Sequence, residues 1–209
     1  MEMKHLFNAV LKGDAEGVLE HVKSLIDSGI LADNILQDGL IKAMGEVGKR
    51  FEEGEFFVPE MLIAARAMQG GLGLLKPYLA AEDVKSSGKI IIGTVQGDLH
   101  DIGKNLVGMM LEGAGFEVID LGVDVKPEEL IDAMVESEPD IVCLSALLTT
   151  TMQNMEKAIE MMKDAGVLKN TKVMVGGAPV TQEYADEIGA HGFAKDASQA
   201  TSVAKNLVM

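Results

Sequence analysis

The 209-residue sequence predicts a two-part protein: an N-terminal helical bundle, then an α/β domain with a five-stranded parallel sheet. Up to about residue 80, apolar residues recur at the spacing of amphipathic helices. Beyond about residue 88, short apolar runs alternate with amphipathic segments, which is typical of a parallel sheet covered by helices on both faces. The predicted boundaries are 1–86 for the bundle and 87–209 for the α/β domain, with a linker at 81–88.

Three or four short-looped antiparallel helices account for the bundle. Val18, Val22 and Leu25 share one helical face, and a further run follows over 36–51. The run 61–75 is apolar nearly all round, which favours a central helix or one with two covered faces. We expect this helix to end before Pro77, because proline disrupts a helix interior.

The α/β domain has five predicted strands, at 89–95, 117–121, 141–144, 172–175 and 192–194. The helical segments between and after them lie near 103–114, 127–136, 151–165, 180–188 and 196–207. If the sheet is wound in the order 2-1-3-4-5, ligands bind beyond the carboxyl ends of strands 1 and 3. The loops that follow Val95 and Leu144 therefore indicate the function.

Composition excludes several classes of function. The formal net charge is −15 and no basic run occurs, which argues against nucleic acid and anionic membranes as partners. Cys143 is the single cysteine, so neither an internal disulfide nor a cysteine-based zinc site is expected, and its apolar run predicts burial. Neither a signal peptide nor a membrane-spanning stretch is visible, so we expect a cytoplasmic protein.

The loop after strand 1 does not fit the common phosphate-binding motifs. Asp98 stands where a P-loop needs its first glycine, and Asn105 replaces the required serine or threonine after Gly103-Lys104. The glycines do not have the dinucleotide-binding spacing either. A phosphate would also meet Asp98 and Asp101. Lys104 and Asn105 are predicted to be exposed residues in the first turn of the following helix.

His100 in this loop is a candidate metal ligand. An acid two residues earlier, Asp98, can accept the proton on one ring nitrogen, which fixes the tautomer and leaves the other nitrogen free. The chain has four histidines and no HxxxH pair, which makes a multi-histidine zinc site improbable. A single axial histidine suits a metal whose other positions are filled by a macrocycle.

Three motifs in order carry a family resemblance: Asp98-Leu99-His100-Asp101-Ile102-Gly103 (DxHxxG), Ser145-Ala146-Leu147 and Gly176-Gly177. They resemble the cobalamin-binding domain of methionine synthase and the corrinoid proteins of methyltransferase systems. The run Gly54-Glu55-Phe56-Phe57-Val58-Pro59-Glu60 resembles the signature of that family's helical cap. The resemblance covers almost the whole chain, and it implies a Rossmann-like, flavodoxin-like cobalamin-binding domain behind the cap.

The resemblance implies that His100 ligates the cobalt of cobalamin in place of the cofactor's own base. Asp98 would hydrogen-bond His100, and Ser145 would continue this network. Gly176 and Gly177 would let the backbone approach the cofactor's nucleotide tail, and the apolar cap would exclude water from its upper face. The implied cofactor contacts are Asp98, His100, Gly103, Ser145, Leu147, Thr149, Gly176 and Gly177, with Phe56 and Met61 from the cap.

The function implied by the resemblance is that of a corrinoid methyl carrier. A substrate-specific methyltransferase would deliver the methyl group, and an acceptor methyltransferase would pass it to a tetrahydrofolate or a thiol coenzyme. A reductive activase would restore oxidised cobalt. The residues outside the cap and sheet domain are too few for a substrate barrel, so we expect a subunit without a complete active site of its own.

Three alternatives stay open at this point. A signalling receiver shares the sheet order, but it needs an aspartate after strand 3, where this chain has Ser145. A cobalamin-dependent sensor would carry an output domain, and none is visible. A carbon-skeleton mutase subunit would use the same motif without the helical cap.

Overall fold

A computed structural model describes residues 2–82 and 86–209. The chain divides into two compact units, one comprising Met1–Ser86 with Glu112–Gly115, the other Ser87–Leu111 with Phe116–Met209. Part of the predicted linker, residues 83–85, lies outside the described residues. None of the helices in the described part of the chain is long and apolar enough to cross a membrane.

The first unit is helical, as predicted. Its elements are α1 (Glu2–Lys12), α2 (Ala15–Asp27), α3 (Ala32–Asn34), a π-helical segment (Ile35–Ile41), α4 (Lys42–Glu52) and α5 (Val58–Ala81). Asp14 begins α2 by accepting a hydrogen bond from the Gly17 N–H at 3.0 Å. Glu60 in the first turn of α5 accepts one from the Phe57 N–H at 3.0 Å.

Two features of these helices differ from the prediction. Helix α5 does not end before Pro77 but continues to Ala81. Pro77 lies near the end of the helix, and the completely buried Leu75 just before it anchors this segment in the core. The predicted helix over 36–51 is wound as a π-helix up to Ile41, where a Cβ on Gly39 would come within 2.6 Å of Leu6 Cδ2. Close packing against α1 therefore needs glycine here.

The second unit is a parallel sheet flanked by helices, as predicted. Its strands are β1 (Lys89–Thr94), β2 (Glu117–Asp120), β3 (Ile141–Ser145), β4 (Lys172–Gly176) and β5 (Gly192–Ala194). Its helices are α6 (Ile102–Gly113), α7 (Pro127–Ser137), α8 (Thr149–Asp164), α9 (Gln182–Glu187) and α10 (Ala197–Val208). The strand order β2-β1-β3-β4-β5 confirms the 2-1-3-4-5 winding.

Strand register sets which loops are neighbours. Thr94 at the end of β1 pairs with Ser145 at the end of β3, and Ser145 pairs with Gly176 at the end of β4. The three predicted site loops therefore leave the sheet side by side at its carboxyl edge. Behind this edge β1, β3 and β4 are buried over most of their length. Cys143 is buried as predicted, which raises the pKa of its thiol.

His191 lies just before β5 and completes the pairing of β4. Its N–H donates to the Val173 carbonyl oxygen at 2.7 Å, and its Nδ1 accepts from the Val173 N–H at 3.0 Å. Partial burial, together with Lys172 and Lys163, lowers the pKa of His191. The neutral ring that accepts this hydrogen bond is thereby favoured, so His191 has a structural role in the sheet.

Replacing a glycine of α5 with alanine is expected to change the free energy of unfolding in opposite directions at two positions, 71 and 73. A Cβ on Gly71 would come within 2.7 Å of Val18 Cγ1, whereas a Cβ on Gly73 would meet nothing within 4 Å. We expect Gly73→Ala to raise the free energy of unfolding by about 0.5–1 kcal/mol, since alanine favours helix. Gly71→Ala should lower it by about 1–2 kcal/mol, because overpacking outweighs that gain.

Urea unfolding followed by circular dichroism at 222 nm measures both variants, with Gly73→Ala as the matched control on the same helix. Equal effects of the two substitutions would contradict the packing of α2 against α5 at Gly71.

Candidate functional site

The site is built on a tight turn directly after β1. The Asp98 N–H donates to the Val95 carbonyl oxygen at 3.1 Å, and Gly97 has a φ of +82°. Glycine adopts this conformation without steric cost, which is why the turn can close here. The turn directs the Asp98 side chain into the sheet domain and leaves the following residues, Leu99 and His100, at the sheet edge.

Asp98 is fully buried and accepts five hydrogen bonds. Its Oδ1 lies 2.7 Å from His100 Nδ1 and 3.1 Å from the His100 backbone nitrogen. Its Oδ2 accepts from the backbone N–H groups of Leu147 at 2.8 Å and Leu148 at 3.3 Å, and from Thr151 Oγ1 at 2.7 Å. One carboxylate thus joins the loop after β1 to the loop after β3 and to the first turn of α8.

These hydrogen bonds keep the buried carboxyl ionised. Burial by itself raises the pKa of Asp98, but the hydrogen bonds from Thr151, Leu147 and His100 outweigh it and hold the pKa well below its usual range. A carboxylate has no proton to give, so His100 Nδ1 must be the donor between the two side chains. In the neutral imidazole, the free lone pair of His100 is then on Nε2.

His100 presents this lone pair at the surface of the sheet domain. Half of its side-chain area is exposed, in contrast to its buried partner. Its backbone is also fixed, because the buried Thr94 donates its hydroxyl proton to the His100 carbonyl oxygen at 2.9 Å. A fixed imidazole whose Nε2 has no hydrogen-bond partner within the described residues has the arrangement that a single histidine ligand of a metal requires.

Large apolar side chains close to His100 in sequence, and in the neighbouring loop after β3, are exposed. Leu99 is 71% exposed and Ile102 is 80% exposed, and Leu147 and Leu148 are also exposed. Single exposed leucines are common on protein surfaces. A group of exposed apolar side chains beside an imidazole is typical of a surface that binds another molecule. This edge of the sheet therefore offers apolar surface beside one half-exposed imidazole.

Gly103 lies three residues after His100, beside the candidate site. It lies in the first turn of α6, it is exposed, and a Cβ there would meet nothing within 4 Å. Glycine inside a helix costs roughly 1 kcal/mol relative to alanine. No atom in the described part of the chain comes within 4 Å of that Cβ, so internal packing does not account for glycine at this position. Contact of Gly103 with the cofactor stays a prediction.

Gly176 and Gly177 have a different physical explanation from the one expected. A Cβ on Gly177 would overlap the Ala146 carbonyl oxygen, and Gly177 has a φ of +134°. A Cβ on Gly176 would come within 2.8 Å of the Ala194 carbonyl oxygen. Contacts of strand ends within the protein thus suffice to require both glycines. Contact of Gly176 and Gly177 with the cofactor's tail stays a prediction.

Ser145 and Thr149 lie at the same edge of the sheet as Asp98. Ser145 is half-buried at the end of β3, and Thr149 is exposed at the start of α8. In the described part of the chain, Asp98 receives its hydroxyl hydrogen bond from Thr151 and not from Ser145. Thr151 therefore supplies a hydroxyl contact to Asp98 that was not expected, and the extension of the network through Ser145 stays a prediction. Contact of Ser145 and Thr149 with cofactor stays a prediction.

The two predicted cap residues lie in the helical unit. Phe56 is half-buried, and the Arg50 guanidinium lies 5.4 Å from the centre of its ring. Met61 is completely buried, whereas Phe57 is 64% exposed. Their expected contact with the cofactor stays a prediction.

The structure corrects the prediction for Lys104. Its side chain is buried and not exposed, and its ammonium group forms an ion pair with Asp120 at the end of β2. Asp120 also accepts a hydrogen bond from the Gly122 N–H at 2.8 Å. Lys104 thus attaches the start of α6 to the sheet. Asn105, partly buried, bonds the Asp101 side chain at 3.1 Å.

Sequence reasoning missed Thr151 and Thr94. Thr151 belongs to the hydroxyl-rich run Thr149-Thr150-Thr151, and that run was the available signal. Which of the three hydroxyls reaches Asp98 depends on the rotation of α8 about its axis, and the sequence does not give this angle.

The Thr151 hydroxyl makes a test of the network possible. Thr151→Val keeps the volume but removes the donor, so the buried carboxylate loses a hydrogen bond and the free energy of unfolding should fall by about 1.5–3 kcal/mol. Thr151→Ser keeps the hydroxyl and is the matched control. Urea unfolding of the cofactor-free protein gives both values, and equal stability of the valine and serine variants would contradict the network.

Comparisons with known proteins agree with this geometry. Residues 88–202 match one "B12 binding domain" family, and residues 3–76 match a second family of the same description. The chain is 41% identical to a "Corrinoid protein" of Desulfitobacterium hafniense over 209 residues, 99% of this chain and 97% of that one. It is 44% identical to "Dimethylamine corrinoid protein 3" of Methanosarcina acetivorans over 202 residues, 97% of this chain and 94% of that one.

A solved structure shows the same architecture. It is a chain of the "methanol:cobalamin methyltransferase complex" of Methanosarcina barkeri, with a TM-score of 0.86 and 28% identity. The match covers 99% of this chain and 79% of that chain. Together, the matched families and relatives decide against the receiver alternative. The chain belongs to the B12-binding corrinoid proteins, and its cofactor is cobalamin.

Proposed function

We propose that this protein is a methyl carrier of a methyltransferase system and that His100 is the lower axial ligand of its cobalamin. The observation that carries the proposal is the buried Asp98 carboxylate, which holds His100 Nδ1 at 2.7 Å and leaves Nε2 free at the sheet edge. Bound cobalamin supplies a cobalt that takes up a methyl group and gives it up again. The residues of this chain hold and orient that cofactor.

The donor set suits this task. Asp98 holds the proton on Nδ1 and increases the basicity of Nε2, which strengthens a bond from Nε2 to a metal. Thr94 and the backbone N–H groups of Leu147 and Leu148 prevent the loop from shifting. Leu99 and Ile102 offer apolar surface to the body of the cofactor, and Gly103 leaves space beside it.

The proposed partners follow from the names of relatives. A relative at 44% identity is named a dimethylamine corrinoid protein, and a structural relative is part of a methanol:cobalamin methyltransferase complex. For this chain we propose a substrate-specific methyltransferase as methyl donor. A second methyltransferase, acting on a tetrahydrofolate or a thiol coenzyme, would be the acceptor, and a reductive activase would maintain the cobalt. The site residues do not select one methyl substrate, because the donor methyltransferase would determine which substrate is used.

Replacing His100 tests the axial bond. The full-length protein is reconstituted with hydroxocobalamin, desalted and examined by visible absorption. We expect His100→Ala to retain the cofactor at least tenfold less tightly, or to hold it with the spectrum of a form without a histidine ligand. His5→Ala removes an exposed imidazole from the helical unit and is the control.

The control should show the wild-type spectrum. If His100→Ala kept both the wild-type affinity and the wild-type spectrum, His100 would not be the axial ligand. If the wild-type protein retained no corrinoid, the carrier function would fail as well.

A further inference from the structure

A residue outside the predicted site holds the turn that carries Asp98. Asp124 lies in the loop between β2 and α7. Its Oδ1 accepts a hydrogen bond from the Gly97 N–H at 2.7 Å, and its own N–H donates to the Asp98 carbonyl oxygen at 3.0 Å. Asp124 therefore binds both ends of the Gly97–Asp98 segment, which is separated from His100 by Leu99 alone.

The backbone of Asp124 has an uncommon conformation. In the described part of the chain, Asp124 (φ +55°) and Glu138 (φ +48°) are the two residues other than glycine with positive φ. This region is sterically costly for residues with a Cβ, although aspartate tolerates it better than most. Asp124 makes both hydrogen bonds to the 97–98 segment while its backbone is held at positive φ. A backbone outlier of this kind suggests a functional role for the residue.

Two further hydrogen bonds attach the residues just before Gly97 to other elements. The Val125 N–H donates to the Thr94 carbonyl oxygen at 3.0 Å, and Asn154 Nδ2 donates to the Gln96 carbonyl oxygen at 2.7 Å. These contacts fix the residues before Gly97. Asp124 adds the contacts at Gly97 and Asp98 themselves, where a small rotation of the backbone would move the carboxylate away from His100.

We propose that Asp124 is a positioning residue for the axial histidine. By holding the peptide groups of Gly97 and Asp98, it fixes the direction of the Asp98 side chain, which in turn fixes the ring of His100. This inference rests on the proposed function, because the axial bond is itself proposed. Asp124 acts through the turn and through Asp98, without contact to the cobalt.

Two substitutions separate the carboxylate from the backbone conformation. Asp124→Gly keeps the N–H that binds Asp98 and adopts positive φ freely, but it lacks the acceptor for the Gly97 N–H. Asp124→Asn keeps an oxygen acceptor in the same place and tolerates the same backbone. The full-length variants are loaded with hydroxocobalamin and reduced to cobalt(II). Because the cofactor's own base also binds through a nitrogen, the variants are produced with ¹⁵N-labelled histidine, and the histidine-ligated fraction is read from the twofold ¹⁵N splitting in the EPR spectrum.

We expect Asp124→Gly to lower the histidine-ligated fraction at least threefold, while Asp124→Asn restores the wild-type fraction. The matched control is Glu138→Gly, at the end of α7, where the residue's N–H donates to the Met134 carbonyl oxygen at 2.9 Å. It relieves the same kind of backbone strain without touching the turn and should leave the fraction unchanged. Thermal unfolding of the cofactor-free variants shows whether each one is folded.

A wild-type ligated fraction in Asp124→Gly would overturn the inference. A reduced fraction that Asp124→Asn fails to restore, together with a lowered unfolding temperature, would also overturn it, since Asp124 would then be merely structural. If the wild-type protein itself shows no nitrogen splitting from a histidine, the proposed axial bond fails, and that result is distinguishable from a failure of Asp124 alone.

Discussion

The structure of the site depends on satisfying one buried negative charge. An ionised carboxylate removed from water is stable only when hydrogen-bond donors replace its hydration. Asp98 obtains them from three separate segments: the residues just after it, the backbone after β3 and the first turn of α8. These segments must converge for the domain to be stable, and their convergence fixes His100. Stability and ligand orientation therefore have the same physical cause.

This arrangement also explains why an acid is needed at position 98. Both oxygens of Asp98 act as acceptors, Oδ1 toward His100 and Oδ2 toward Leu147, Leu148 and Thr151. An amide in this place has one acceptor oxygen, so its NH₂ group would face N–H or O–H donors on the other side. The side chain at this position has to be small, charged and without protons of its own.

Much of the fold was predictable because it rests on local patterns. Apolar runs and helical periodicity predicted all five strands and the helical segments between them, whereas the strand order followed from the fold class that they and the family resemblance indicated. The failures involve contacts distant in sequence. The burial of Lys104 depends on Asp120, and the continuation of α5 beyond Pro77 depends on the packing of a buried residue such as Leu75. The π-helical segment depends on how closely α1 approaches Gly39.

The candidate site shows the same division. The DxHxxG motif places Asp98 and His100 two residues apart, a spacing that allowed their hydrogen bond to be anticipated. Thr151 and Asp124 were missed, because they reach the turn from other elements, through the rotation of α8 and through a single residue with positive φ. Neither feature leaves a periodic pattern in the sequence.

The most direct test of the central claim uses isotopes to identify the atom bound to cobalt. The protein is produced with ¹⁵N-labelled histidine, loaded with unlabelled cobalamin and reduced to cobalt(II). If His100 is the axial ligand, each EPR line split into three by ¹⁴N in unlabelled protein becomes split into two in labelled protein. A threefold splitting that persists after labelling would show that the cofactor's own base remains bound, and it would contradict the account.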